Sequence, residues 1–94
     1  MFKNGRTVQS ELFSLKIIKN SEIKIGVIIS RKISKKAVIR NQIKRRISEI
    51  CRLLLKDFKD QFIAVILTKP IIIERDFEQI KAELILAFRK VSVL

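Results

Sequence analysis

The residues with the clearest capacity for chemistry are cations crowded into one short segment. Residues 31–52 contain nine Lys and Arg residues and a single acid, Glu49, and so hold two thirds of the formal net charge of +12. Cations at this density bind polyanions, because contacts with phosphates release the counterions condensed on nucleic acid. An isolated run of charge more often forms a solvated helix face, but such faces usually mix both signs. We therefore expect this segment to bind a polyanion.

Side chains suited to protein-based catalysis are scarce in the 94 residues. The chain contains no histidine and one cysteine, Cys51, which excludes the usual zinc sites, Cys–His dyads and Ser–His–Asp triads. The nine acids are scattered, whereas hydrolysis by two metal ions needs convergent carboxylates. We expect no catalytic residue and no metal site in the protein, and a buried, unreactive role for Cys51.

Length and composition limit the chain to a single domain spanning residues 1–94. An apolar content of 48% is enough for one modest core and argues against disorder. No apolar run approaches the roughly 18–20 residues of a membrane-spanning helix, and the first residues lack the apolar segment of a signal peptide. We expect a cytoplasmic protein that does not associate with membranes.

The elements that must position the cations follow from the apolar pattern. Alternating apolar residues predict strands at residues 12–18 and 23–29, with a shorter strand near Thr7. The continuous apolar run at residues 62–67 predicts a strand buried on both faces, and helical spacing over residues 77–91 predicts a helix. This order predicts an α+β fold, a small two-layer sandwich in which helices cover part of the sheet and leave the rest for a ligand.

The basic segment itself has helical spacing. Apolar residues recur at steps of three and four over residues 39–54, which predicts one buried stripe of a helix. At about 100° per residue, the opposite face carries Asn41, Lys44, Arg45, Ser48 and Arg52. Arg40 lies at one edge of the stripe and joins this basic face one turn before Lys44. Arg46 lies at the other edge, where Glu49 can pair with it, and its stem is expected to cover the core.

Residues 30–49 resemble the signature of the bacterial ribonuclease P protein component, in which a strand end runs into S-K-K and then into A-V-x-R-N-x-I-K-R. The matching residues are Ser30, Lys32, Ala37, Val38, Arg40, Asn41, Ile43, Lys44, Arg45 and Glu49. The similarity extends to an F-K-x-G element at residues 2–5, to the strand at residues 62–67 and to the helix at residues 77–90. Nearly the whole chain is covered by the resemblance.

The chain departs from the family pattern at three positions. Arg31 stands in place of a lysine, Ser48 in place of an arginine, and Lys16 in place of an aromatic residue that commonly meets single-stranded RNA. In the family a helix also precedes the F-K-x-G element with which this chain begins. These departures affect the expected leader-binding surface more than the resemblance as a whole.

The resemblance implies a ribonuclease P protein-like fold, whose topology is shared with a domain of a small-subunit ribosomal protein and whose basic helix lies in a left-handed crossover between strands. In this family a catalytic RNA uses Mg²⁺ to remove the 5′ leader of precursor tRNA. The protein binds ribonuclease P RNA and the leader, and is not catalytic when isolated. We expect a monomeric protein that binds the RNA 1:1.

Two binding surfaces follow from the resemblance and the helix pattern together. The residues expected to bind the catalytic RNA are Lys32, Lys35, Lys36, Arg40, Asn41, Lys44 and Arg45. Those expected to bind the leader are Phe2 and Phe13, by stacking on bases, and Lys16. Phe13 also fits a core position, because it alternates with other apolar residues of its strand. The aromatic residues expected in the core are Phe58, Phe62, Phe77 and Phe88.

Two other classes of protein share part of this pattern. A structural ribosomal protein, or another small RNA-binding module without an enzymatic partner, would have the charge asymmetry but not the R-N-x-I-K-R motif. A DNA-binding protein would place the helix in the major groove, but the basic face offers few base-reading residues beyond Asn41. Co-purification with ribosomal RNA, in place of ribonuclease P RNA, would favour the first alternative.

Overall fold

The computed structural model describes residues 5–29, 32 and 34–91. This part of the chain forms β1 (Arg6–Gln9), β2 (Phe13–Lys19), β3 (Lys24–Ile28), α1 (Ala37–Leu54), β4 (Phe62–Thr68) and α2 (Phe77–Lys90). Short 3-10 helices follow α1 at Leu55–Asp57 and β4 at Pro70–Glu74. The predicted α+β class and the predicted order of strands and helices are confirmed.

The four strands form one sheet in the order β1–β2–β4–β3. β1 pairs antiparallel with β2, and β2 pairs antiparallel with β4. β3 pairs parallel with β4, so the chain must cross from one end of the sheet to the other between them. α1 lies in that connection, which confirms the prediction of a basic helix in a crossover between strands.

The core lies on one face of the sheet. Every second residue of β2 and β4 is buried, namely Phe13, Leu15, Ile17, Phe62, Ala64 and Ile66. These residues form one cluster with the buried residues of both helices, so α1 and α2 cover the same face. The intervening residues of β4 are exposed or half-buried, and the prediction that this strand is buried on both faces is therefore wrong.

The buried side of α1 follows the predicted apolar stripe. Its buried residues are Ile43, Ile47, Ile50, Cys51 and Leu54. The helix ends at Leu54, where the chain tightens into a 3-10 turn. Burial raises the pKa of the Cys51 thiol from 9.0 to about 12. The thiol is therefore protonated at neutral pH, and the predicted buried position of Cys51 is confirmed.

The start of α2 is fixed by a reciprocal cap. The Gln79 N–H donates to the Asp76 carboxylate at 2.9 Å, and the Asp76 N–H donates to the Gln79 side chain at 3.1 Å. Towards its other end α2 packs through Phe88 against Phe58 and Phe62, with ring centroids 4.9 and 5.9 Å apart. Phe62 and Phe88 are buried and the half-buried Phe58 packs against the core, so the predicted core positions of these three residues are confirmed. Neither helix of the described chain is long and apolar enough to cross a membrane.

Candidate nucleic-acid interface

Most of the predicted RNA-binding residues lie at the start of α1 and along its exposed face. The exposed residues among them are Lys32, Lys35, Lys36, Asn41, Lys44 and Arg45. Because the opposite side of α1 is buried in the core, the helix can present this cationic surface only to solvent or to a partner. We call the exposed face formed by Lys35, Lys36, Asn41, Lys44 and Arg45 the basic face.

The charges at the start of α1 oppose the helix dipole. No acid lies in the first turn, and the N-cap residue, Lys36, makes no capping hydrogen bond with its side chain. A cation beside the positive end of a helix is unfavourable by roughly 0.3–1 kcal/mol. The first N–H groups of a helix also have no partner within it. A phosphate near this end would be attracted by both features.

Among the described residues, no cation of α1 forms an ion pair. The ion pairs Lys24–Glu22, at 3.4 Å, and Arg75–Glu11, at 3.7 Å, both lie outside α1. Arg46 is half-buried, as expected for a stem that covers the core edge. However, Arg46 and Glu49, which both belong to the described chain, are not joined by an ion pair, so the pairing expected between them is not formed.

Arg40 differs from its cationic neighbours because the protein holds its guanidinium. The side chain is half-buried, and its Nη1 donates to the Ser34 carbonyl oxygen at 2.9 Å. The Ser34 hydroxyl oxygen in turn accepts the Lys36 N–H at 3.2 Å. These bonds tie the connection that carries Lys35 and Lys36 to the first turn of α1. Arg40 can therefore order this connection and still offer its other N–H donors to a phosphate.

The uncovered face of the sheet forms the second candidate surface. A shallow groove of about 320 Å³ runs across β1, β2 and β4 there, with Lys16 on its border. Ile18 and Ile63 also border it, and their side chains are 48% and 36% exposed. Arg6 also borders the groove, but it is paired with the buried Ile17, so its side chain lies on the other face of the sheet. This groove combines a cation with aliphatic surface, and Lys16 is exposed where the sequence predicts a leader contact.

Phe13 does not belong to either surface. Its side chain is 0% exposed and lies in the core cluster with Leu15 and Ile17. A ring without exposed surface cannot stack on a base unless the core opens, so the prediction of a leader contact at Phe13 is wrong and the alternative core position is correct. The other aromatic residue predicted to stack, Phe2, lies outside the described residues, as do Ser30 and Arg31.

Phe77 also has a place at the edge of the basic face, which the sequence did not predict. It packs against the core, as expected, but it is half-buried and lines a groove with residues of α1, among them Arg45. Phe77 is the first residue of α2, and the fully buried residues of that helix begin only at Ile80. A position at the helix end is the one signal in the sequence that Phe77 could be partly exposed.

The acids of the described chain do not assemble a metal site. Within residues 5–29, 32 and 34–91, no group of three or more His, Cys, Asp or Glu side chains is placed to hold a metal ion. The chemistry that the described cations of α1 support is the binding of anions.

Fold and surface together define a class: a small α+β protein whose crossover helix presents clustered cations to solvent. The family model described as Ribonuclease P matches residues 1–92. This chain belongs to the ribonuclease P protein family.

Curated relatives agree with the family match. The chain is similar to the ribonuclease P protein component of Thermus thermophilus, with 32% identity over 88 residues that cover 94% of this chain and 52% of that protein. It is also similar to that of a Picosynechococcus strain, with 48% identity over 61 residues that cover 65% of this chain and 53% of that protein. The chain spans about half the length of these relatives.

Solved structures show the same fold. The RNase P protein from Thermotoga maritima, in complex with 1-(4-fluorophenyl)-2-thiourea, superposes with a TM-score of 0.81 at 29% identity, covering 93% of this chain and 87% of that one. The Staphylococcus aureus RNase P protein superposes with a TM-score of 0.84 at 22% identity, covering 95% and 83%. The predicted ribonuclease P protein-like sandwich is thereby confirmed.

Proposed function

We propose that this chain is the protein subunit of ribonuclease P, and that it binds the catalytic RNA in the cytoplasm as a monomer, 1:1. In this role it assists removal of the 5′ leader from precursor tRNA. The observation that carries the proposal is the exposed basic face of α1 in a chain whose residues 1–92 match the ribonuclease P family.

The basic face is suited to grip an RNA backbone without reading its sequence. Arg45 can form a bidentate pair with a phosphate, Lys44 supplies a point charge, and the Asn41 amide can donate to a phosphate or a ribose hydroxyl. Asn41 and Arg45 are one helical turn apart, so their side chains reach neighbouring points on one strand. Lys35 and Lys36 form the part of this face that precedes the helix, and Lys32 extends the same contact further.

The uncovered face of the sheet is the proposed surface for the leader. Lys16 lies beside exposed aliphatic side chains in the groove across β1, β2 and β4. Among the described residues this groove contains no aromatic ring. We therefore assign the leader contact there to phosphate attraction and aliphatic packing, which would be insensitive to the base sequence of the leader.

Catalysis is assigned to the RNA subunit, and Mg²⁺ with it. RNA phosphate oxygens are hard ligands of the kind this cation prefers, and Mg²⁺ bound there would activate water for hydrolysis of the phosphodiester bond. The protein contributes by neutralising phosphates of the folded RNA and of the leader. Cations placed on these phosphates would lower the Mg²⁺ concentration that cleavage requires.

A binding experiment tests the assignment of the RNA partner. Tagged protein should co-purify with ribonuclease P RNA, and purified protein should bind that RNA in a filter-binding assay. Arg45→Ala, on the basic face, should weaken binding, whereas Arg89→Ala, which removes an exposed cation in the last turn of α2, provides a control with the same loss of charge. Recovery of ribosomal RNA without ribonuclease P RNA would favour a structural ribosomal protein instead.

A further inference from the structure

A second groove, of about 280 Å³, lies between α1 and the first residue of α2. Its lining residues are Gln42, Arg45, Arg46, Glu49 and Phe77. Arg45 belongs both to this groove and to the basic face, so a strand bound along that face passes beside the groove. The groove is on the helical layer of the sandwich, whereas the groove proposed for the leader lies on the uncovered face of the sheet.

Phe77 is the aromatic residue in this groove, and its surroundings differ from those of the other described rings. Phe13, Phe62 and Phe88 are 0% exposed, and Phe58 packs edge-on against two of them, with ring centroids 5.0 Å and 4.9 Å away. Phe77 packs against the core cluster and is half-buried, as Phe58 is, but it makes none of the ring contacts found in the described chain. Part of its apolar surface therefore remains available to a ligand.

The lining combines the groups that hold an unstacked nucleobase. An aromatic ring and guanidinium planes provide surfaces on which a base can stack. The Gln42 amide can donate and accept hydrogen bonds, and the Glu49 carboxylate can accept them from the amino or imino groups of a base. The Glu49 carboxylate offsets one of the two guanidinium charges, so the groove attracts a bare phosphate less strongly than the neighbouring basic face does.

We propose that this groove holds an unpaired base of the catalytic RNA, with Phe77 as its stacking platform. The inference rests on the proposed function. The catalytic RNA is favoured over the leader because Arg45 joins the groove to the face assigned to that RNA. In this arrangement the basic face holds the backbone, while the groove captures one base that projects from it.

The absence of tryptophan and tyrosine from the sequence allows a direct test. Phe77→Trp introduces a single strongly fluorescent residue, whose emission is quenched when a base stacks on it. Phe58→Trp provides a control. Phe58 packs on Phe88, which lies eleven residues after Phe77 and near the other end of α2, so a tryptophan at position 58 is away from the groove. Binding is followed independently by the anisotropy of labelled ribonuclease P RNA. A ten-nucleotide leader oligonucleotide serves as a second probe.

Emission of Phe77→Trp should fall as ribonuclease P RNA binds and level off at one RNA per protein, while emission of Phe58→Trp stays constant. RNA binding without loss of Phe77→Trp emission would overturn the inference. So would quenching by the leader oligonucleotide but not by ribonuclease P RNA. Absence of RNA binding by anisotropy would instead refute the proposed function, and this inference with it.

A pair of conservative variants measures the contribution of the stack to affinity. Phe77→Leu keeps an apolar side chain, and Phe77→Tyr keeps the ring. Loss of one base–aromatic stack should weaken binding of ribonuclease P RNA by about five-fold or more, so Phe77→Leu should show this loss and Phe77→Tyr should not. The salt dependence should be unchanged in both, since no phosphate contact is removed. Wild-type affinity of Phe77→Leu would contradict the inference.

Discussion

The hydrogen bond from Arg40 to the Ser34 carbonyl oxygen predicts that Arg40→Ala loosens the connection before α1 in the free protein. Its length is 2.9 Å and its donor is charged. Hydrogen bonds to charged groups contribute about 1.5–3 kcal/mol, and the lower end applies here because the pair is only partly buried. Since 1.36 kcal/mol corresponds to a tenfold change in an equilibrium constant, the open form of the connection should become roughly ten times more populated.

Limited proteolysis of the free protein measures this population. Trypsin cleaves after Lys35 and Lys36, and at low protease concentration the cleavage rate follows the population of the open form. Arg40→Ala should therefore be cut there roughly ten times faster than the wild type, by the same free-energy conversion. Lys44→Ala is the matched control: Lys44 lies one turn further along, and no hydrogen bond of its side chain occurs in the described chain. Equal cleavage rates for wild type and Arg40→Ala would refute the ordering role.

RNA binding provides a second test of whether Arg40 orders the connection before α1. If Arg40 orders the connection, Arg40→Ala also displaces the lysines in that connection. The salt slope, meaning the slope of log binding constant against log salt concentration, should then become shallower by more than the roughly one unit expected for a single phosphate contact. Arg40→Ala and Lys36→Ala should then be less than additive in a double-mutant cycle. Additive effects would show instead that Arg40 acts as an independent phosphate contact.

Three further predictions concern the basic face and the core. Lys44→Ala and Arg45→Ala should each reduce the salt slope of RNA binding by roughly one unit, and an equal reduction in Arg46→Ala would show that the wrong face was assigned. Phe13→Ala should lower the free energy of unfolding by about 3–5 kcal/mol, and a folded variant that selectively loses precursor tRNA over mature tRNA would contradict its core role. Because burial raises the pKa of Cys51 to about 12, the unfolded thiol ionises first, and stability should fall as pH rises above 9.0; Cys51→Ala should remove this component of the denaturation profile.

The main elements could be predicted because their apolar periods are distinct. Alternation placed β2 and β3 correctly, and steps of three and four placed the buried stripe of α1. The burial of β4 could not be predicted from its continuous apolar run. Ile63 is 36% exposed on the uncovered face of the sheet, and its hydrophobicity alone does not show which face the helices cover.

The site was predicted less completely, because several of its features depend on tertiary contacts. The exposed cations of α1 follow from helix geometry, and their positions agree with the sequence pattern. The bond from Arg40 to Ser34 has a backbone acceptor, which no residue pattern reveals. The groove at Phe77 joins side chains of two helices that are far apart in sequence. At Phe13 the family resemblance suggested stacking, whereas alternation along its own strand gave the correct buried position.

Cleavage of precursor tRNA at low Mg²⁺ concentration tests the central claim most directly. Ribonuclease P RNA, scrupulously RNA-free protein and their mixture are compared under single-turnover conditions, with Arg45→Ala as the variant of the basic face. We expect slow cleavage by the RNA alone, none by the protein alone, and faster cleavage by the mixture, with the gain reduced in Arg45→Ala. Cleavage by the protein alone, or a mixture no faster than the RNA, would contradict the proposed function.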